Sequence, residues 1–126
     1  MKVFICAVVT LCLLATGIAC YCVHLDRLCD SLLQRAEELE VQILGNNKEG
    51  AEKLAFKMQE SWDKNVSLLT AFTEHSEVNA VTDRLTGIRN SLLYNDFATA
   101  YREVSAFKHL ISCMLSESLP SLTNIL

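Results

Sequence analysis

Residues 3 to 23 read VFICAVVTLCLLATGIACYCV and hold no charged side chain. No other feature limits the chain so sharply. This run matches the roughly 20 residues an α-helix needs to cross the hydrocarbon core of a bilayer. Three readings fit it. In the first it is an uncleaved membrane helix, because no turn residue separates it from the following HLDRLCD. In the second it is a cleaved signal peptide, with Val3 to Leu14 as the short apolar core and small Gly17 and Ala19 at the positions a signal peptidase reads. Against that, the apolar run continues past the cut and only Lys2 precedes it with a charge. In the third, TGIAC is a lipobox and Cys20 carries lipid, although Gly17 stands where a bulky aliphatic residue is preferred. The membrane helix is the favoured reading. All three put the rest of the chain outside the cytoplasm. Lys2 with the amino terminus on one side, and an acidic flank on the other, favours a cytoplasmic N-terminus.

Ten of the 11 Lys and Arg, and all 15 Asp and Glu, lie beyond residue 23 and leave that part with a net charge of −5. Such a surface repels phosphate backbones, and no basic stripe interleaved with aromatics appears, so nucleic-acid binding is not expected. Of the six cysteines, four (6, 12, 20 and 22) fall inside the apolar run. There cysteine acts as a small hydrophobe. Only Cys29 and Cys113 remain, which is no disulfide framework, though one bond between them is conceivable if helix ends meet.

The remainder reads as helix throughout. Leu25, Leu28, Leu32, Ala36, Leu39 and Ile43 recur at spacings of three and four, the signature of one helical face. No Pro or Gly interrupts His24 to Leu44, so span and first helix read as one rod of about 40 residues, about 60 Å long. GNN at 45–47 stops it, since Gly or Asn takes the left-handed conformation after a helix end. A second helix is expected from Lys48 to Phe72, with Ala51, Leu54, Ala55, Met58, Trp62, Val66, Leu69 and Phe72 inside. Gly50 lies in its first turn, where the usual glycine cost of about 1 kcal/mol is reduced. Val78, Val81, Leu85, Ile88 and Leu92 carry a third helix, and YND at 94–96 breaks it. Asn95 or Asp96 caps a fourth helix with Phe97, Ala100, Tyr101, Val104, Phe107, Ile111 and Leu115 inside. Pro120 is expected to block further helix, leaving a tail whose Leu122, Ile125 and Leu126 lie back on the bundle.

The expected architecture is all-α. An N-terminal transmembrane anchor (1–23) precedes an extracytoplasmic four-helix bundle of two hairpins (24–119) and a C-terminal tail (120–126). An offset of 49 residues superposes the hairpins. It pairs Leu32 with Val81, Leu39 with Ile88, Ile43 with Leu92, Ala55 with Val104, Met58 with Phe107 and Trp62 with Ile111. Any two equal helical hairpins would align this way, and so would a duplicated one.

Two clusters could carry chemistry. AFTEHSEV, residues 71–78, offers Glu74, His75, Ser76 and Glu77 as acid, base and nucleophile. No other histidine is near in sequence, and no glycines build a nucleophile elbow or phosphate cradle. The simpler reading is a corner: Ser76 caps the third helix, Glu77 sits in its positive first turn, and His75 bonds across the corner or is exposed. The capping box is imperfect, because Asn79 stands where Glu or Gln would complete it. Cys20, Cys22, His24 and Cys29 are donor types that suit zinc. On a helix, however, residues two apart point about 200° apart and do not converge. Trp62 reads as a core anchor, and Glu37, Glu38 and Glu40 as a solvated face. No catalytic residue, cofactor or metal is therefore expected.

The order of parts resembles a family of domains of unknown function, number forty-three sixty-three, found in clostridia and related Gram-positive bacteria. An apolar N-terminal helix is followed by a hairpin carrying Trp62, then HSEV, a second hairpin and a terminal LTNIL. The most specific pieces are His75-Ser76-Glu77 and Asn124-Ile125-Leu126, with Asp96-Phe97 as the turn before an aromatic. The first hairpin has Asn47-Lys48 at that turn. The resemblance spans nearly the whole chain. It implies a small membrane-anchored bacterial protein with an extracytoplasmic helical domain, and it carries over no activity or ligand.

The expected function is that of a non-enzymatic accessory or protein-interaction module at the bacterial cell envelope. It touches lipid through residues 3–23 and binds another membrane or envelope protein. Self-association is open, since Ala15, Thr16, Gly17 and Ala19 would let spans approach. The alternative is an envelope sensor or small-ligand module with a pocket near Trp62 and His75. A hydrolase at the corner is the weakest reading.

Overall fold

A computed structural model describes the chain from Met1 to residue 125, without the side chains of Phe72 and of residues 116–125. Four helices account for nearly all of it: α1 (Lys2–Leu44), α2 (Lys48–Phe72), α3 (His75–Leu93) and α4 (Phe97–Ile125). No strand occurs among the described residues. α1 runs unbroken through residue 23, as the uninterrupted pattern implies, and measures about 65 Å. Connections of two or three residues force antiparallel neighbours. α2 packs on α1, α3 on α2, α4 on α3, and α4 closes the ring on α1.

The predicted faces form the core. Leu32, Ala36, Leu39, Met58, Trp62, Val81, Ile88, Leu92, Val104, Phe107 and Ile111 have no exposed surface. Removing a large aliphatic side chain from water is worth about 1.5–3 kcal/mol. Cys29 joins them at zero exposure. It lies four residues after Leu25 and three before Leu32, so it belongs to the same stripe. Tyr101 departs from expectation: it is 37% exposed, while Met114 is buried in α4 instead. Tyr101 follows Ala100 by one residue, 100° round the helix, and only one of them can point inward.

The two turns away from the apolar end of α1 are near copies. Asn46 and Asn95 take φ of 56° and 59°, while Gly45 stays at −82°. Asparagine thus supplies the left-handed residue. The Asn47 N–H donates to Gln42 O, and the Asp96 N–H to Ser91 O, again 49 residues on. The cap atoms also correspond. Asn47 Oδ1 accepts from Gly50 N at 3.1 Å, and Asp96 Oδ1 accepts from Thr99 N at 3.1 Å. Gly50 has a reason to be glycine. A Cβ there would come within 2.8 Å of both Asn47 Nδ2 and Gln42 Oε1, whose mutual bond at 2.6 Å closes the turn. Replacing Asn47 by Ala should cost about 1 kcal/mol, read as a lower thermal midpoint. Asp96→Ala should also lower the midpoint, with a pH signature. The hydrogen bonds from Thr99 hold the Asp96 carboxyl below its ordinary range. Its contribution is therefore complete above the unfolded carboxyl pKa of about 3.9 and fades as pH falls through the lower folded value. The gap between wild type and D96A narrows there.

Two expectations about helix ends are corrected. Pro120 does not end α4, whose backbone stays helical to Ile125. Proline removes one donor and its fixed φ is helical, so a single proline bends or weakens a helix without always terminating it. The fold of Leu122, Ile125 and Leu126 back on the bundle lies outside the described residues. Ser76 does not cap α3: the cap position is Glu74, with no side-chain bond, and α3 begins at His75. Thr73 and Glu74 are extended, at ψ 153° and 135°, and complete the reversal in two residues. Glu74 O then accepts from the N–H groups of Glu77 and Val78.

Candidate functional site

The α2–α3 corner lies at the end of the bundle from which the apolar half of α1 projects. Tyr21 Oη and Thr73 Oγ1 are 2.9 Å apart, and a step further in His24 Nε2 meets Asn65 Oδ1 at 2.6 Å. Asn65 Nδ2 donates to Ser61 O, which leaves Oδ1 as the acceptor for His24. These contacts tie α1 to α2 and the corner. The corner brings little chemistry together. His75 is exposed, as are Glu74 and Ser76, and the Ser76 hydroxyl reaches Glu74 Oε2 only at a long 3.5 Å. Trp62 is wholly buried, with Nε1 donating to Thr82 Oγ1 at 2.9 Å. Ten residues of α2 separate it from the corner, about 15 Å along the axis, so Trp62 and His75 do not share a pocket.

The cysteines are spread by helical geometry. Cys20 is exposed, Cys22 half-buried and Cys29 buried along one continuous helix. With His24 engaged by Asn65, the four possible donors do not converge, and no group of three or more His, Cys, Asp or Glu among the described residues is placed to hold a metal ion. Cys29 is buried and Cys113 half-buried, and Cys113 Sγ lies 3.7 Å from His109 Nε2. Burial, with Asp26 adding, pushes the Cys29 thiol up to about 11. The thiolate is the reactive form. At pH 8 iodoacetamide should therefore leave Cys29 unmodified in the folded protein and modify it after denaturation, as read by peptide mass spectrometry.

A site that sequence reasoning missed lies between α2 and α3. Glu52, Ala55, Gln59, Thr86, Arg89 and Leu93 line a groove of about 360 Å³. A second groove, also about 360 Å³, shares Gln59 and Arg89 and continues past Phe56 to Asp63 and Lys64. Arg89 Nη1 donates to Gln59 Oε1 at 2.6 Å, and the guanidinium carbon stands 5.6 Å from the Phe56 ring centre, within cation–π range. Periodicity could have put these residues on outer faces, but nothing in the sequence pairs positions 30 apart. The same holds for Glu40. It does not belong to a solvated face with Glu37 and Glu38, because its carboxylate meets Lys108 Nζ at 2.9 Å in the α1–α4 seam.

Comparison with curated proteins and with solved structures gives no match. A family profile does match, over residues 20–125, and it takes in the whole bundle, corner and α4 included. The chain belongs to the DUF4363 family, a domain of unknown function.

Proposed function

We propose that this protein is a single-pass, membrane-anchored accessory module of the bacterial cell envelope, non-enzymatic, with its bundle outside the cytoplasm. One observation carries the reading: every residue from Met1 to Cys20 is exposed, although this is the most apolar part of the chain. A helix of that composition demands a nonpolar solvent that the bundle does not supply. The polar side chains within it support the same reading. Thr10 Oγ1 donates to Cys6 O and Thr16 Oγ1 to Cys12 O, each at 2.8 Å, so neither hydroxyl needs water. Tyr21 stands where an interfacial aromatic belongs. Open space around Gly17 is compatible with close approach of a second span.

An interaction role is supported by what the bundle presents. Its interior is apolar, and no polar residue is buried among the described residues. The corner residues are solvated and unconverged, which favours binding through a surface over catalysis. A small-ligand module near Trp62 and His75 has less support, since those side chains lie apart.

The test is accessibility in intact cells. In a background without native cysteines, Ser76→Cys should react with a membrane-impermeant maleimide before lysis, and Lys2→Cys only after it. The reverse pattern would refute the orientation. Recovery of both variants in the soluble fraction would refute the anchor.

A further inference from the structure

The 49-residue correspondence maps the α2–α3 seam onto the α4–α1 seam. The buried sets and the turn hydrogen bonds coincide on this offset, so the seams are two versions of one frame. Gln59 corresponds to Lys108, Arg89 to Glu40, and Ala55 to Val104. In the α4–α1 seam the polar pair is Lys108 Nζ to Glu40 Oε1, at 2.9 Å, with side chains only 30% and 18% exposed. The seam is closed by its own opposite charges. In the α2–α3 seam the same two positions hold a cation and a neutral amide, Arg89 Nη1 to Gln59 Oε1 at 2.6 Å. Alanine at 55 in place of valine leaves room beside them, and here the groove opens.

Arg89 thus carries a charge that its frame neutralises elsewhere. Among the described residues it forms no ion pair. The nearby carboxylates are mostly engaged: Glu52 with Lys48 at 3.8 Å and Glu60 with Lys64 at 3.2 Å, which leaves Asp63 at the far end. A guanidinium has five donors in a planar fork that fits a carboxylate, and Gln59 accepts from one nitrogen. Phe56 and Leu93 flank it, 54% and 62% exposed.

We propose that this seam is a docking site for a partner protein segment that presents a carboxylate to Arg89 and apolar side chains to Phe56 and Leu93. Length decides for a protein segment over a free acid. From Glu52 to Lys64 the joined grooves follow α2 for about 18 Å, more than three helical turns. The inference deepens the interaction reading and rests on it for the existence of a partner. The groove itself belongs to the folded bundle.

The test uses the full chain in lipid nanodiscs with labelled arginine side chains, observed by NMR. The probes are two twelve-residue amphipathic peptides that differ only in a central Glu or Gln flanked by leucines three and four residues away, and glutarate as a free acid. The Glu peptide should shift the Arg89 resonance, and the Gln peptide should bind about tenfold more weakly, the loss of one charge-assisted pair. Gln59→Lys with Arg89→Glu rebuilds the ion pair of the other seam. It should melt like wild type and lose the Glu peptide. Arg89→Gln, an exposed change, gives the same loss if the double variant folds poorly. Equal binding of the two peptides, no response to either, or glutarate binding as tightly as the Glu peptide would overturn the proposal. A failed anchor would show in cell fractionation and leave these titrations unchanged.

Discussion

Replacing Trp62 with alanine is expected to cost about 3–5 kcal/mol, close to the whole stability of a small domain. The indole is fully buried at the middle of α2 and joins α2 to α3 through Thr82. Its loss leaves a cavity, and Thr82 Oγ1 keeps only its own donation to Val78 O at 3.0 Å. For a domain of this size each kcal/mol moves the thermal midpoint by about 4–8 °C, so a drop of roughly 15 °C or more is expected. Circular dichroism of the detergent-solubilised full chain measures it. Only part of the helical signal should melt, because the apolar half of α1 stays helical in the micelle. Trp62→Phe separates volume from hydrogen bonding, since it keeps most of the ring and loses the N–H. Its midpoint should fall between the other two. A W62A midpoint within about 5 °C of wild type would defeat the anchor role of this residue.

The second large effect is expected in the span. Leu11→Arg with Leu13→Arg puts two charges near the centre of the uncharged run. Each guanidinium there costs about 2.5–3.5 kcal/mol on insertion scales, so the pair costs about 5–7 kcal/mol. The double variant should disappear from the alkali-resistant membrane fraction. Leu44→Arg is the control. It adds the same charge to α1, but at a position already 69% exposed beside the far turn, and it should leave retention unchanged. Wild-type retention of the double variant would mean that residues 3–23 do not hold the chain in lipid.

The architecture was legible because one signal dominates each helix. Apolar spacing in α1 and α3 maps directly onto burial, and in α2 it does so for Ala51, Ala55, Met58, Trp62 and Leu69, with Leu54 and Val66 half-buried; α2 begins and ends where Lys48 and Phe72 suggest. The turns were legible too, since asparagine at 46 and 95 tolerates left-handed backbone. Single-residue choices were harder. Whether Glu74 or Ser76 occupies the cap depends on where two extended residues complete the reversal, a tertiary matter that local preference does not fix. Pro120 shows the same limit in the other direction, because a helix survives one lost bond when its surroundings favour it. The site was least legible. Arg89 meets Gln59 and Glu40 meets Lys108 only after the ring closes, and on sequence alone each is an ordinary surface residue. Reading the hairpins as equivalent supplied the frame, but the contrast between the seams needed side-chain positions.

The unbroken course of α1 makes its apolar end and the bundle a single lever. With no hinge between Lys2 and Leu44, a swivel of the apolar end turns the bundle through the same angle. One inserted alanine after Val23 would swing the bundle by about 100° and raise it by about 1.5 Å. The Tyr21 clasp would then turn away from Thr73, while His24, beyond the insertion, would keep its bond to Asn65. Helical phase at the junction of apolar run and bundle therefore sets which way the Arg89 flank looks relative to that run.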